Sequence, residues 1–240
     1  VTAPTVPVAV CGVRGRMSDL VADAVQTTPG FDALGRLSTR RADGETAVDL
    51  SPVAGRAPVI VDFTGAGATA ALLAALPGTG CPLVLGTSGL DADERALLAE
   101  VARRRAVVAA ANFSLALLSV ARFVRELAAS TGPEWDAGVL DVHFAGKRDR
   151  PSGTAGMLAE QWGRPRGTAT APETASFRLG DAVSEHRVLA AGPGEHVEVL
   201  HRVADRRAFL PGVLLAVRFA AAAPPGLHTL EDVMEGTEPG

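Results

Sequence analysis

The 240-residue chain contains one lysine, Lys147, and its other permanently cationic side chains are arginine. It has two cysteines, Cys11 and Cys81, each in or beside an apolar run. That placement argues against a disulfide framework or a cysteine metal site, and reduced core thiols in a cytoplasmic protein are expected. No apolar run approaches the ~20 residues that a membrane span needs. The opening stretch VTAPTVPVAV has no basic region, so neither a signal peptide nor a membrane partner is expected. Positive charge is not in excess: the formal net charge is -4, which leaves no electrostatic footprint for nucleic acid. With 47% hydrophobic and 21% charged residues, the composition is that of a globular protein long enough for one large domain or two small ones.

The lone lysine sits in the stretch HFAGKRDRPSGTA, which runs from His143 to Ala155. A chain that uses arginine everywhere else and lysine here is using what arginine cannot do. An ammonium can give up its proton and respond to burial, whereas a guanidinium effectively cannot. A stray surface lysine is the plain alternative. His143 four residues before it, and a Pro-Ser-Gly-Thr turn after it, favour a catalytic or substrate-binding role.

In chain order, residues 6–11 (VPVAVC) read as a buried parallel strand. Gly12, Val13, Arg14, Gly15, Arg16 and Met17 form a glycine turn that opens a helix, and Ser18 stands where the last fingerprint glycine is usual. Gly12 permits the tight turn and Gly15 a close approach of backbone to a pyrophosphate at the helix terminus. An ordinary strand-to-helix turn is the alternative. After a second strand at 33–37 come Ser38, Thr39, Arg40 and Arg41, where a carboxylate would mark a preference for NAD. Two guanidiniums and no acid favour a 2′-phosphate, hence NADPH with NADH possible. The bland reading is that the arginines begin a solvated loop over 42–57. Further strands at 58–63, 82–85 and 106–111 each end in small or polar residues: Phe63 and Thr64; Gly86, Thr87 and Ser88; Ala110, Ala111, Asn112 and Phe113. Asp91 and Glu94 are spaced as a capping box. Beyond a helix from Ser114 to about Ser130 the βα alternation stops. A strand at 135–143, a helix at 154–162, a loop at 163–174, strands at 176–179, 183–190 and 196–203, and helices at 209–222 and 229–234 complete the pattern. The fold class expected is α/β. A Rossmann-type dinucleotide-binding domain (1–112 plus 209–240) carries a second, α+β domain (113–208) for substrate and oligomerisation. No histidine spacing suggests a metal site.

These motifs resemble the dihydrodipicolinate reductase family along nearly the whole chain. The resemblance rests on VAVCGVRGRM, VDFTGAGAT, LGTSGL, AANFSLALL, DVHFAGKRDRPSGTA, RLGDAVSEH and HRVADRRAFLPGVLLAVRF. It implies a reductase of the diaminopimelate route to lysine. Such an enzyme transfers hydride from NADPH or NADH to a cyclic unsaturated imine or enamine, with a small molecule as substrate and a homodimer or homotetramer as assembly. By position, His143 and Lys147 would be the catalytic pair. Ser152, Gly153 and Thr154 would hold a substrate carboxylate at a helix N-terminus, and Arg178 would be a second carboxylate contact. The turns named above, with Ser38 and Arg40, would contact the cofactor. His186 aligns near the pocket.

The chain departs from the family at three points. Phe144 replaces the second of two adjacent histidines and enters the substrate site as an apolar ring. Asp141 stands where glutamate is usual, and the segment between Ala155 and Arg178 is short. Two further readings therefore stand beside the orthodox one: a relative recruited to another cyclic imine or conjugated substrate, and a non-catalytic cofactor-binding scaffold.

Overall fold

The computed structural model describes residues 4–42, 45–167 and 171–236, and the side chains of residues 40–45 lie outside that description. The chain divides into two compact units, Val1–Phe113 with Phe209–Gly240, and Ser114–Ala208.

The first unit opens with β1 (Val6–Cys11), whose last four residues are buried. A glycine turn leads into α1 (Arg16–Thr27), which buries Ser18, Val21 and Val25 on one stripe. β2 (Phe31–Leu37) pairs parallel with β1. Next come β3 (Thr39–Ala42) and β4 (Glu45–Val48), an antiparallel pair. The solvated loop expected over 42–57 is therefore partly a hairpin. Val48 and Leu50 pack against the apolar core and Val53 is buried within it, so this segment has its own hydrophobic reason to fold. β5 (Val59–Asp62) is buried throughout. α2 (Ala66–Ala75), β6 (Leu83–Leu85), α3 (Ala92–Ala102) and β7 (Ala106–Ala109) continue the alternation. At α3 the capping box is present: Glu94 N–H donates to Asp91 Oδ1 at 2.8 Å, and Asp91 N–H to Glu94 Oε2 at 2.9 Å.

The second unit contains α4 (Leu115–Ser130), β8 (Asp136–His143), α5 (Gly153–Arg166), β9 (Glu173–Arg178), β10 (Ser184–Gly192) and β11 (Glu195–Val203). Its sheet runs β11-β10-β8-β9, with β8 antiparallel to β10 and parallel to β9. Side chains alternate across a strand, so one face of this sheet takes every second residue. Ala137, Val139, Val188 and Ala190 form a dry core with Leu117, Ala121, Val124 and Ala128 of α4 and Ala155, Leu158, Ala159 and Trp162 of α5. At the other end of β8 the same face turns polar and presents Asp141 and His143.

The chain then returns to the first unit through α6 (Leu210–Ala222), β12 (Gly226–His228) and α7 (Leu230–Glu235). β12, a short strand that hydropathy alone does not reveal, pairs parallel with β7. It completes a parallel sheet of order β12-β7-β6-β5-β1-β2. That order, with sequence running outward on both sides of β1 and β5, is a doubly wound arrangement. Among the described residues no helix is long and apolar enough to cross a membrane.

Trp135 and Trp162, the chain's two tryptophans, both lie in the second unit, so their fluorescence follows that unit's unfolding selectively. Leu158 is fully buried between α5 and the sheet. We expect Leu158→Ala to cost the second unit ~2–5 kcal/mol, read as a lower urea midpoint in tryptophan fluorescence. An unchanged midpoint would contradict this core assignment.

Candidate active site

In the first unit the carboxyl ends of four strands lie side by side: Cys11 beside Asp62, Asp62 beside Leu85, and Leu85 beside Ala109. The pairing continues one residue further. Gly12 N–H donates to the Leu37 carbonyl (2.9 Å), Gly86 N–H to Asp62 (2.9 Å) and Ala110 N–H to Leu85 (3.1 Å). The turns at residues 12–17, 63–64, 86–88 and 110–113 therefore leave the sheet along one edge, the edge where an open parallel sheet binds ligands.

The glycine turn suits a dinucleotide. Gly12 has φ 92°, and a Cβ there would lie 2.9 Å from Thr64 Cγ2. Gly15 has φ 152°, also a region that favours glycine, and no side chain caps α1 behind it. An uncapped helix terminus approached by glycine backbone is a fitting place for pyrophosphate. Ser18 is buried and donates to the Cys11 carbonyl (3.2 Å), which accounts for a hydroxyl at the last fingerprint position. Arg36, which sequence reasoning missed, bonds Asp19 (2.8 Å) and the Val13 carbonyl (3.3 Å) and so braces the turn.

Asp62 was also missed. It is fully buried, and its Oδ1 accepts from Thr64 N–H (2.9 Å) and the Thr64 hydroxyl (2.6 Å). Its Oδ2 accepts from Thr69 (2.6 Å), whose hydroxyl lies 3.0 Å from that of Thr87. One carboxylate thus ties the turn after β5 to the turn after β6. An acid inside the apolar run PVIVDF is the signal, because a charge buried there must be partnered. The Phe63 ring packs edge-on against Phe113, with centroids 5.4 Å apart. A Cβ on Gly86 would come 2.0 Å from the Phe63 ring, so that glycine makes room for it. Phe113 is itself buried, and its ring supports the edge from beneath. Ser38 follows β2 directly and its carbonyl accepts from Asp49 N–H (3.0 Å). The side chain of Arg40 lies outside the described residues.

In the second unit the strand register assembles the polar end of the sheet. Asp141 lies opposite Ser176 on β9 and His186 on β10, His186 lies opposite His201 on β11, and His143 lies opposite Arg178. Asp141 is fully buried. Its Oδ2 is 2.8 Å from His143 Nδ1 and 2.8 Å from Arg178 Nη1, and its Oδ1 accepts from the Ser176 hydroxyl. Burial alone would raise the Asp141 pKa. The hydrogen bond from Ser176 and the charge of Arg178 outweigh that and leave it below the ordinary carboxylate value. An ionised Asp141 is purely an acceptor, so His143 carries its proton on Nδ1. Burial first, and then the charge of Lys147, lower the His143 pKa against the pull of Asp141.

Lys147 follows a tight turn in which its N–H donates to the Phe144 carbonyl (3.1 Å), and its Nζ pairs with Asp149 Oδ1 at 2.8 Å. The Phe144 ring lies 6.0 Å from the Arg206 guanidinium. Ser152 caps α5, its Oγ accepting from Ala155 N–H (3.2 Å) and standing 3.3 Å from His186 Nε2. Gly153 is exposed at the helix start, and Thr154 is buried beside it. His186 touches His143 edge-on, with ring centroids 5.1 Å apart. Burial, followed by the neighbouring His143, pushes its pKa from 6.5 down to about 3, so it stays neutral. His143, Lys147, Ser152 and His186 therefore belong to one connected cluster. The side chain of Arg178 turns into the protein. It is only 2% exposed, and its donors turn inward to Asp141 and to the carbonyls of Lys147, Asp149 and Phe177. Its described contacts are all within the protein.

Two family models match the chain: "Dihydrodipicolinate reductase, N-terminus" over residues 6–113 and "Dihydrodipicolinate reductase, C-terminus" over residues 117–234. The chain belongs to the dihydrodipicolinate reductase family. It is an NAD(P)H-dependent oxidoreductase. Among its relatives is a 4-hydroxy-tetrahydrodipicolinate reductase of Rubrobacter xylanophilus, 35% identical and aligned over 96% of this chain and 98% of that one. Another, of Xanthomonas euvesicatoria pv. vesicatoria, is 36% identical over 241 positions that cover 97% of this chain and 99% of that one. Among solved structures, dipicolinate-bound dihydrodipicolinate reductase from Paenisporosarcina sp. TG-14 has a TM-score of 0.71 at 18% identity, covering 94% of this chain and 97% of that one. GenD2 from gentamicin A biosynthesis, in complex with NAD, has a TM-score of 0.61 at 12% identity, covering 97% and 91%. At those identities the likeness is one of fold.

The pKa of His186 in the folded protein lies below its unfolded value. The unfolded chain therefore takes up a proton that the folded one excludes. The stabilising contribution is complete above pH 6.5 and is lost as pH falls toward about 3. We expect the second unit to lose stability between those limits, and His186→Gln to lose less over the same interval. Urea midpoints from tryptophan fluorescence at several pH values decide this, and parallel pH curves would contradict it.

Proposed function

We propose that this family member reduces a cyclic unsaturated imine or enamine of the dihydrodipicolinate type, in the cytoplasm, with NADPH as preferred cofactor. The observation that carries the reading is the connected cluster of His143, Lys147 and Ser152 at the polar end of the second unit's sheet. A bound nicotinamide cofactor would supply the hydride for an electron-poor carbon of the substrate. The remaining chemistry falls to side chains. With Nδ1–H bonded to Asp141 and a lowered pKa, His143 is neutral at pH 7. It offers a lone pair at Nε2 and no proton to give. Lys147 is then the proton donor, and its ammonium favours the negative charge that develops beside it. Ser152 orders the first turn of α5, where the amides of Gly153 and Thr154 and the Thr154 hydroxyl suit a substrate carboxylate.

Support for NADPH comes from Ser38 at the end of β2, where no acid stands to repel a 2′-phosphate, and from Arg40 two residues on. Support for a homo-oligomer comes from the outer face of the second unit's sheet, which leaves Phe177, Leu189 and Leu200 exposed on three of its strands. A second reading, a less polar or larger cyclic imine, has one residue in its favour: Phe144 puts an apolar ring where a histidine could have met a carboxylate.

The test is substrate-dependent NADPH oxidation with 4-hydroxy-tetrahydrodipicolinate, set beside the same assay with NADH. We expect turnover with NADPH the better donor, and a fall in kcat of ~100-fold or more for Lys147→Ala with NADPH binding retained. Tight NADPH binding without turnover of this substrate would move the assignment to the second reading. Full activity in Lys147→Ala would remove the lysine from the chemistry.

A further inference from the structure

Arg178 makes two kinds of contact at once. On one side its Nη1 meets Asp141 Oδ2 at 2.8 Å, the same oxygen that His143 Nδ1 meets at 2.8 Å. On the other side its Nε donates to the Lys147 carbonyl at 3.3 Å, and its Nη2 donates to the Asp149 carbonyl. Asp149 in turn holds the Lys147 ammonium through Oδ1 at 2.8 Å.

We infer that Arg178 is the positioning residue of the site, setting the Lys147 turn in register with the Asp141–His143 pair through its bonds to Asp141 and to the Lys147 and Asp149 carbonyls. The inference rests on the reading that Lys147 and His143 act on substrate, and assigns a role to a residue that touches neither substrate nor cofactor. A planar guanidinium can reach a carboxylate and two carbonyls in fixed directions at once. An ammonium in its place keeps the charge and cannot keep that geometry. The two functions of Arg178 are therefore separable. Its charge balances Asp141 and keeps His143 from being drawn toward the imidazolium, while its fork holds the turn.

The lone lysine of the wild-type chain makes the test direct, because amine-reactive labelling reports one side chain; peptide mapping resolves the α-amino group and, in Arg178→Lys, the second amine that the substitution introduces. Arg178→Lys is expected to lower kcat about 100-fold, the scale of an ångström-sized misplacement, with KM changed far less. In the same protein Lys147 is expected to be trinitrophenylated several-fold faster than in wild type, since a loosened turn exposes the amine. Arg178→Gln, which also loses the charge, is expected to add an upward shift of the lower limb of the pH–rate profile, as His143 beside an uncompensated Asp141 holds its proton more tightly. Ser176→Ala removes a donor from Asp141 and leaves the carbonyl bonds intact; its Lys147 labelling is expected at the wild-type rate. Tryptophan fluorescence establishes that each variant is folded, and either Arg178 variant suffices for the labelling comparison. Wild-type labelling and wild-type kcat in a folded Arg178 variant would overturn the inference, as would a Ser176→Ala protein labelled as fast as Arg178→Lys. If Lys147→Ala keeps full activity while Arg178→Lys still speeds the labelling, the catalytic reading fails and the positioning of the turn stands.

Discussion

A carboxylate with no access to water keeps its charge only if donors replace the lost hydration, and Asp141 has them. Ser176 occupies one oxygen, and Arg178 and His143 share the other. Much of the second unit's polar end follows from this one group. The register that sets β9 beside β8 brings Ser176 and Arg178 to it, and the period-two alternation of β8 puts His143 on the same face. His143 is thereby fixed as an Nδ1–H tautomer, and the Lys147 turn is held through Arg178. Removing Arg178 leaves the buried Asp141 with only Ser176 and His143 as donors, and removing Asp141 leaves the buried Arg178 without its carboxylate.

The first unit uses the same device at its ligand edge. Asp62, buried at the end of β5, is met by Thr64 and Thr69, and Thr69 reaches Thr87 in the next turn. Both units thus place a buried aspartate at or near the carboxyl end of a strand and use hydroxyls to shape the turns around it. At such ends the apolar core stops and backbone amides run out of partners, so polar side chains can be both buried and useful. Rigid strands below and short, bonded turns above fix the direction of the groups that meet a cofactor or substrate.

Much of this was legible in the sequence where a residue's chemistry is tied to its local pattern. The strand, glycine turn and helix at residues 6–27 could be read because φ values near those of Gly12 and Gly15 demand glycine. Lys147 stood out by being alone, and Ser152 entered only through the family resemblance. The inward contacts of Arg178 were not legible because a sequence shows a cation without showing where its donors point. Only the pairing of β9 with β8 turns it toward Asp141. Asp62 and Ser176 escaped for the same reason, since their partners come from register and not from spacing along the chain. The hairpin of β3 and β4 looked like solvated loop because its strands are only four residues each, too short for alternation to declare itself.

The account turns on the claim that an ionised Asp141 fixes the proton on His143 Nδ1. The most direct measurement is the 15N spectrum of the histidine-labelled protein at pH 7, with His143 assigned by its loss in His143→Gln. The account predicts a neutral ring protonated at Nδ1, with Nε2 bare, and loss of that fixed tautomer in Asp141→Asn. A ring protonated at Nε2 alone, or one unaffected by Asp141→Asn, would contradict it.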